Sequence, residues 1–180
     1  MAARNDDAIL DTIVRPMEKD GCDSPGKPFN SRPDARQRQE RLNAFYWPYH
    51  RRLQAALRLS GVQGLIDCHS MDPANPDGSP RPQVCLGDCR GLTCGPGLLL
   101  RLEAAFVDQG FQVARHDPYA GGHITRHYGQ ELMARGLFAV QIELNKALFL
   151  RPSTLELDSE RLAEVRRRVA AALAAFAAGL

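Results

Sequence analysis

The sequence predicts an α/β fold with a sheet that is at least partly parallel. Short apolar segments alternate with longer amphipathic ones along most of the chain, and this alternation of strand and helix signals is typical of α/β folds. The chain has 180 residues, a length that suits one hydrophobic core and is short for two. We therefore expect residues 1–180 to form a single domain.

The first 35 residues are expected to be irregular, and the core is expected to span residues 36–180. From Ala35 onward the pattern is helical, because apolar and aromatic residues recur at steps of three and four. These residues are Leu42, Phe45, Tyr46, Tyr49, Leu53 and Leu57. Pro48 should begin a turn of this helix or kink it, and the glycines at 61 and 64 should close it.

Four strands are expected after this helix. Their segments are residues 62–67, 83–86, 111–115 and 137–144. One helix should follow Gly95-Pro96, and the last should begin near Asp158 or Ser159, either of which can cap it. The last helix should bury Leu162, Val165, Val169, Leu173 and Phe176. The glycine-bearing stretch from residue 117 to residue 129 is expected to be a loop.

Charge and composition exclude several classes of protein. The 23 basic residues nearly balance the 21 acidic ones, whereas a nucleic-acid binder has a one-sided basic footprint. Apolar runs fall short of the roughly 20 residues that a membrane span needs, and the start of the chain does not resemble a secretory signal. We therefore expect a cytoplasmic protein that binds neither nucleic acid nor membrane, while its oligomeric state stays open.

The five cysteines are expected to be reduced thiols, because their number is odd and no signal precedes them. Cys85, Cys89 and Cys94 lie close together in sequence and raise the alternative of a zinc site. Their spacing is not the C-x2-C pairing of structural zinc sites. Coincidence is the better interpretation of this cluster.

The first candidate site residues follow an apolar strand. Asp67, Cys68, His69 and Ser70 stand where the predicted strand ends, and ligands of open α/β sheets bind at that carboxyl edge. A histidine two residues after an aspartate suits a metal ligand or a general base held by a carboxylate. The alternative is a histidine that only caps the strand.

Glu143 is the second candidate, because it interrupts an apolar strand. Val140, Ile142 and Leu144 share one face of this segment, and Gln141, Glu143 and Asn145 share the other. In a central strand the polar face must line a cleft, since burying an unpaired carboxylate costs several kcal/mol. The alternative is an edge strand whose polar face is solvated.

The third candidate is the segment of residues 121–129, which holds two histidines, an arginine and a tyrosine behind two glycines. Arg126 offers a planar fork for a carboxylate. His123 or His127 can hold a proton or a substrate oxygen. The alternative is a solvated surface loop.

The order of five segments resembles the N-formylglutamate amidohydrolase (N-formylglutamate deformylase) family. The segments are YWPYH (46–50), LIDCHSM (65–71), LGD (86–88), PYAGGHITRHYG (118–129) and VQIELN (140–145). The resemblance covers roughly residues 40–175. It implies a three-layer α/β/α sandwich with a mixed sheet, similar to the zinc carboxypeptidases and described as phosphorylase/hydrolase-like. It also implies hydrolysis of N-formyl-L-glutamate to formate and L-glutamate in histidine degradation.

The resemblance implies roles for the catalytic residues. His69 matches a metal ligand for Zn²⁺ or another divalent metal, and Asp67 would hold that histidine in place. Zinc would lower the pKa of water toward about 7 and polarise the formyl carbonyl. Glu143 matches the acid/base that takes the proton of the attacking water and passes it to the leaving amine.

The resemblance also implies how a small acidic substrate would be held. Arg126 would bind a substrate carboxylate with His127 nearby, and His123 and Ser70 would complete the substrate-binding set.

One feature of the family pattern is not matched in this sequence. The family carries an early Pro-His-Ser-Gly-like motif that supplies further metal ligands, and nothing before His69 matches it; the only earlier histidine is His50. We therefore expect an incomplete metal site and a family member that starts late. The alternatives are a degenerate, non-catalytic relative that binds a small acidic ligand, and a metal-free hydrolase in which Cys68 or Ser70 acts with His69.

Overall fold

The computed structural model describes residues 34–151 and 154–180. The predicted irregular segment 1–35 therefore lies almost wholly outside the described residues. The chain divides into two compact units, Met1–Ser60 and Gly61–Leu180, which are described separately. The single domain stays a prediction. No helix in the described ranges is long and apolar enough to cross a membrane.

The described part of the first unit is a continuous helical segment. Helix α1 (Ala35–Arg41) begins with a capping box, in which Asp34 accepts from the Gln37 N–H at 2.8 Å and the Gln37 side chain accepts from the Asp34 N–H at 3.2 Å. A π-helical turn, Leu42–Tyr46, then leads into helix α2 (Trp47–Leu57).

The π-helical turn confirms that Pro48 distorts this helix. Proline has no N–H, and its ring clashes with the carbonyl four residues earlier in a regular α-helix. The Trp47 N–H instead bonds to the Leu42 carbonyl, five residues back. The wider turn therefore accommodates the proline without ending the helix.

The second unit contains a four-stranded mixed sheet. Its strands are β1 (Gly64–Met71), β2 (Val84–Gly87), β3 (Val113–Arg115) and β4 (Phe138–Asn145). Their order is β1-β4-β2-β3, with β1 parallel to β4, β2 antiparallel to β4 and β3 parallel to β2. The prediction of an α/β fold with a partly parallel sheet is confirmed. Strand β4 is central.

Helices cover both faces of this sheet. Helices α3 (Pro96–Asp108) and α5 (Ser159–Ala177) pack on the face that carries Val140 and Ile142. Helix α4 (His123–Ala134) packs on the opposite face, over β1 and β4. The three-layer arrangement expected from the resemblance is therefore present, and the site candidates lie on the α4 face.

The apolar core lies between the sheet and helices α3 and α5. Its central side chains include Val84, Leu86, Leu102, Phe106 and Phe176. The Asp158 side chain caps α5 as predicted, accepting from the Arg161 N–H at 3.2 Å. Of the residues expected to be buried by α5, Val165 and Phe176 are fully buried, and Val169 and Leu173 pack against the core.

Two sequence-based expectations about local structure are wrong. Strand β1 does not end at residue 67 but continues to Met71, because its backbone stays paired with β4 after the apolar side chains stop. The stretch 117–129 is not all loop, since α4 begins at His123. The buried residues of α4 recur at helical spacing: Thr125, Tyr128, Gly129 and Leu132.

Helix α4 approaches the sheet closely at Gly129, which makes this glycine a test of the packing. A Cβ at Gly129 would lie 2.3 Å from Thr93 Cγ2 and 3.3 Å from Ala139 Cβ. Thr93 is fully buried and its hydroxyl donates to the Ala139 carbonyl at 2.9 Å. Gly129→Ala should therefore lower the free energy of unfolding by about 1–3 kcal/mol, despite the better helix propensity of alanine.

The matched control is Gly97→Ala in α3, where nothing lies within 4 Å of an added Cβ. This change should leave stability unchanged or raise it by up to about 1 kcal/mol. Urea denaturation followed by circular dichroism measures both variants. Equal effects of the two substitutions would contradict the close packing of α4 on the sheet.

Candidate active site

Strand β1 holds Asp67 and His69 together on one face of the sheet. Residues two apart on a strand point to the same side, and His69 Nε2 lies 2.9 Å from Asp67 Oδ1. This hydrogen bond raises the pKa of His69 above its usual value, against an opposing effect of burial. The expected pairing of the two residues is present, within the strand rather than after it.

Glu143 faces His69 across the β1–β4 pair. The two residues are register partners, and paired residues on neighbouring strands place their side chains on the same face. Only 7% of Glu143 is exposed. Burial raises the pKa of its carboxyl, and the charge of His69 opposes that effect. The polar face of β4 is therefore a buried surface, and the edge-strand alternative is wrong.

The side-chain amide of Gln141 joins Glu143 to the start of α4. Gln141 Nε2 donates to Glu143 Oε1 at 2.6 Å, and Gln141 Oε1 accepts from the Gly122 N–H, immediately before the helix. The second oxygen, Glu143 Oε2, is buried and has no hydrogen-bond partner among the described residues. A buried carboxylate oxygen without a partner is an acceptor available to a ligand or to water.

Helix α4 is connected to the same face through Thr125. Its hydroxyl donates to Asp67 Oδ2 at 3.2 Å, so Asp67 is held by both His69 and α4. His123 is near enough to Asp67 and Arg126 for both charges to act on it, although partial burial is the main cause of its lowered pKa. The structure therefore brings His123 toward the Asp67–His69–Glu143 group.

The other α4 candidates lie farther out on the helix. The rings of His123 and His127 are stacked, with centroids 5.3 Å apart. Arg126 is exposed, next to the buried Thr125. Its role and that of His127 in binding substrate stay predictions.

Cys68 and Ser70 are not part of this group. They alternate with Asp67 and His69 along β1, so they lie on the opposite face of the sheet. Partial burial and the charge of Asp67 also raise the pKa of the Cys68 thiol, whereas a nucleophilic cysteine needs a lowered pKa. Neither the metal-free mechanism nor the expected substrate contact of Ser70 is supported, because the strand turns both side chains away.

Some contacts near the site could not be predicted from the sequence. Asn145, which the alternation places on the polar face of β4, shares its amide N–H groups among the carbonyls of Pro73, Arg81 and Pro82, at 3.2–3.4 Å. It thereby holds both ends of the loop formed by residues 72–83. Thr125 was likewise missed, because its contact with Asp67 spans 58 positions in the sequence.

The described residues do not form a complete metal site. No group of three or more His, Cys, Asp or Glu side chains in the described ranges is arranged to hold a metal ion, whereas a catalytic zinc normally has three protein ligands. His69 is the register partner of Glu143, and its Nε2 is directed at Asp67. The described residues therefore do not fit Zn²⁺ as a stably held cofactor.

A family comparison decides the classification. The model of the family described as N-formylglutamate amidohydrolase matches residues 11–150. The chain belongs to this family. The match includes β1, β4 and the start of α4, so the Asp67–His69–Glu143 group lies within the family domain.

Two curated relatives are similar to this chain, and both are named N-formylglutamate deformylase. The protein from Pseudomonas aeruginosa is 35% identical over 145 residues, covering 76% of this chain and 53% of the relative. The protein from Pseudomonas putida is 34% identical over 126 residues, covering 66% of this chain and 46% of the relative. The chain thus spans about half the length of these relatives.

Solved structures support the same fold. The N-formylglutamate amidohydrolase of Ralstonia eutropha superimposes with a TM-score of 0.63 and 29% identity, over 77% of this chain and 52% of that one. A gene product of Agrobacterium tumefaciens superimposes with a TM-score of 0.51 and 21% identity, over 81% of this chain and 56% of that one. The second likeness concerns the fold alone.

The thiol environments predict a pattern of chemical labelling. Cys68 is exposed, whereas Cys85, Cys89 and Cys94 are buried, and burial followed by the charge of Asp88 raises the pKa of Cys94 to about 12. Since the thiolate is the reactive form, iodoacetamide at pH 8 should modify Cys68 well before the three buried thiols. Peptide mass mapping of the native protein measures this order.

The denatured protein is the control and should be labelled at every cysteine. Because the pKa of Cys68 is raised, it should react no faster than free N-acetylcysteine. Labelling of Cys68 at pH 6 that outpaces N-acetylcysteine would reveal an activated nucleophile and revive the metal-free mechanism.

Proposed function

We propose that this protein hydrolyses the amide bond of an N-acyl amino acid, and that the substrate is N-formyl-L-glutamate, which is released as formate and L-glutamate. The observation that carries the proposal is the Glu143 carboxylate, which is buried on the central strand opposite His69, with one oxygen that has no partner among the described residues. Membership in the family and the names of the Pseudomonas relatives support this choice of substrate.

Glu143 is the proposed acid/base. A water molecule attacks the formyl carbon and forms the new C–O bond, while Glu143 Oε2 accepts one of the water protons. The same carboxyl then gives the proton to the amide nitrogen as the C–N bond breaks, so that formate and an amine leave. A raised pKa suits both halves of this cycle, because the group must gain and lose a proton near neutral pH.

The surrounding residues support this chemistry by positioning. Gln141 holds Glu143 Oε1, which leaves Oε2 as the reactive oxygen. His69 is fixed by Asp67 beside the same cleft. On α4, Arg126 and His127 are the proposed contacts for a substrate carboxylate, with His123 between them and Asp67.

No step of this mechanism is assigned to a metal. The resemblance implies Zn²⁺ or another divalent ion with His69 as a ligand, but no group of three or more His, Cys, Asp or Glu side chains in the described ranges is arranged to hold a metal ion. This mismatch favours a second candidate function, in which the chain binds a small acidic ligand without hydrolysing it. Formate release from N-formylglutamate separates the two candidates.

The four described cysteines are all free thiols. Free thiols persist in reducing compartments, and on this ground we propose a cytoplasmic location.

Substitution of the proposed acid/base should abolish most of the activity. Gln is nearly isosteric with Glu and can still accept from Gln141 Nε2, but it cannot take a proton from water. Glu143→Gln should therefore lower kcat by about 100- to 10,000-fold with little change in fold. A coupled assay of formate release from N-formylglutamate, with circular dichroism as a check on folding, measures the effect.

Glu103→Gln is the matched control, because Glu103 pairs with Arg115 at 3.2 Å on the opposite face of the sheet. It should retain the full kcat. Near-normal turnover by Glu143→Gln would make Glu143 a structural residue, and absence of turnover in the unaltered protein would favour the non-catalytic candidate.

Zinc content tests the ligand set independently of turnover. Because three protein ligands are needed for tight binding, the protein dialysed against a mild chelator should retain far less than one zinc ion per chain, as measured by plasma mass spectrometry. His69→Ala should change that low content little. Retention of about one zinc per chain that disappears in His69→Ala would show that residues outside the described ranges complete a site around His69.

A further inference from the structure

Arg81 is held in place by side chains from two loops. Its Nε donates to Asn75 Oδ1 at 2.9 Å within the 72–83 loop. Its Nη1 donates to the Tyr119 hydroxyl at 3.2 Å, and the guanidinium lies 5.5 Å from the centre of the Tyr119 ring. Long side chains lose rotamer entropy when they bind a ligand. These contacts remove that cost in advance, so the guanidinium is preorganised.

The backbone of Arg81 is fixed at the end of the central strand. Its N–H donates to the Pro73 carbonyl at 2.9 Å, and its carbonyl accepts from Asn145 Nδ2 at 3.2 Å. Asn145 lies two residues after Glu143 on the same face of β4. The backbone of Arg81 is therefore bonded to the end of the strand that carries Glu143.

A second path of contacts places the guanidinium over the same face. The Tyr119 carbonyl accepts from Cys85 Sγ at 3.3 Å, and Cys85 is the cross-strand partner of Glu143. Tyr119 thus joins Arg81 to the strand next to Glu143. Consistently, the positive charge of Arg81 acts on Glu143 and lowers the pKa of its carboxyl, against the larger effect of burial.

Arg81 forms no ion pair with any described residue. None of the ion pairs within the described ranges includes it, and its two side-chain acceptors are a neutral amide and a neutral hydroxyl. Nη2 takes part in no hydrogen bond within the described ranges. A half-buried, preorganised guanidinium that no described carboxylate contacts directly is suited to an anionic ligand, above all to a carboxylate.

We propose that Arg81 is a specificity-determining residue that binds one carboxylate of the substrate near Glu143. The inference rests on the proposed function, because it names how that site recognises its substrate. N-formylglutamate carries two carboxylates, and the sequence suggested a single arginine, Arg126, for them. Arg81 supplies the second cation, from a loop that contains no recognisable motif.

The experiment compares three ligands by calorimetric titration of the full chain. N-formyl-L-glutamate has both carboxylates, N-formyl-L-glutamine lacks the γ-carboxylate, and N-formyl-L-isoglutamine lacks the α-carboxylate. Arg81→Met removes the charge and the hydrogen bonds while keeping much of the aliphatic stem. It should weaken binding of N-formylglutamate about 10- to 100-fold, the usual effect of losing a charge-assisted hydrogen bond.

The two monoamides identify the carboxylate that Arg81 binds. If Arg81 contacts the γ-carboxylate, Arg81→Met leaves the affinity for N-formylglutamine unchanged and weakens that for N-formylisoglutamine. If it contacts the α-carboxylate, the pattern is reversed. Either pattern supports the proposal. Equal weakening for all three ligands would make Arg81 a structural residue, and unchanged affinity for N-formylglutamate would overturn the proposal as well.

Two further variants keep the test decisive if Arg81→Met is unstable. Tyr119→Phe removes the hydroxyl partner of Nη1 without changing any charge, and it should weaken binding of the same ligands by a smaller factor, about 2- to 5-fold. Arg81→Lys keeps the positive charge but lacks the planar, paired N–H donors of the guanidinium, so it should recover part of the affinity for N-formylglutamate that Arg81→Met loses. Arg167→Met, on the exposed part of α5 where Arg167 pairs with Glu164, is the control and should match the unaltered protein.

Measurements of ligand binding and of formate release distinguish the recognition role of Arg81 from the proposed hydrolysis. Selective binding that depends on Arg81, without formate release, retains this inference and contradicts hydrolysis. Formate release with no carboxylate-specific effect of Arg81→Met retains hydrolysis and contradicts this inference. Failure of the unaltered protein to bind any of the three ligands overturns the recognition role.

Discussion

The arrangement of the site depends on the side-chain amide of Gln141. Its carbonyl accepts from the backbone N–H of Gly122, and its NH₂ group donates to Glu143. A backbone N–H can only donate and a carboxylate can only accept, so the amide has one orientation that satisfies both partners. Gln141 is buried in the central strand, where an unmet partner costs about 1–3 kcal/mol. It therefore sets the distance between Glu143 and the start of α4.

The two faces of the central strand β4 were predictable from its sequence, because the alternation of apolar and polar residues indicates which side chains share a face. The polar face of Gln141, Glu143 and Asn145 could be read directly from the period of two. The burial of this polar face could not be predicted in the same way, since an edge strand has the same alternation. The position of β4 between β1 and β2 decides that point, and strand order is a property of tertiary pairing. The sequence thus predicted the acid/base candidate but not its neighbours across the sheet.

The structure departs from the sequence-based expectations where polar side chains occupy regular secondary structure. His69 was assigned to a loop because the apolar pattern of β1 stops at Asp67, whereas backbone pairing continues to Met71. Helix α4 was missed because glycines precede it and its buried face includes Thr125 and Gly129, which are weak hydrophobic signals. The role of Arg81 could not be predicted because Tyr119, one of its two side-chain partners, lies 38 residues away in the sequence. In each case the stabilising contact is a hydrogen bond or a close packing between segments far apart in sequence.

Gly87 places a limit on how this site can diversify. A side chain there would put a Cβ 2.6 Å from the Ala120 carbonyl carbon and 2.7 Å from the Gly121 nitrogen, and backbone atoms cannot be displaced as a side chain can. The loop that carries Tyr119 can therefore pack this closely against β2 only because Gly87 has no side chain. Evolution or engineering can alter substrate preference through residues 72–83 or along α4. Position 87 tolerates no such variation, because any larger residue would push the loop away from β2, the strand that pairs with β4.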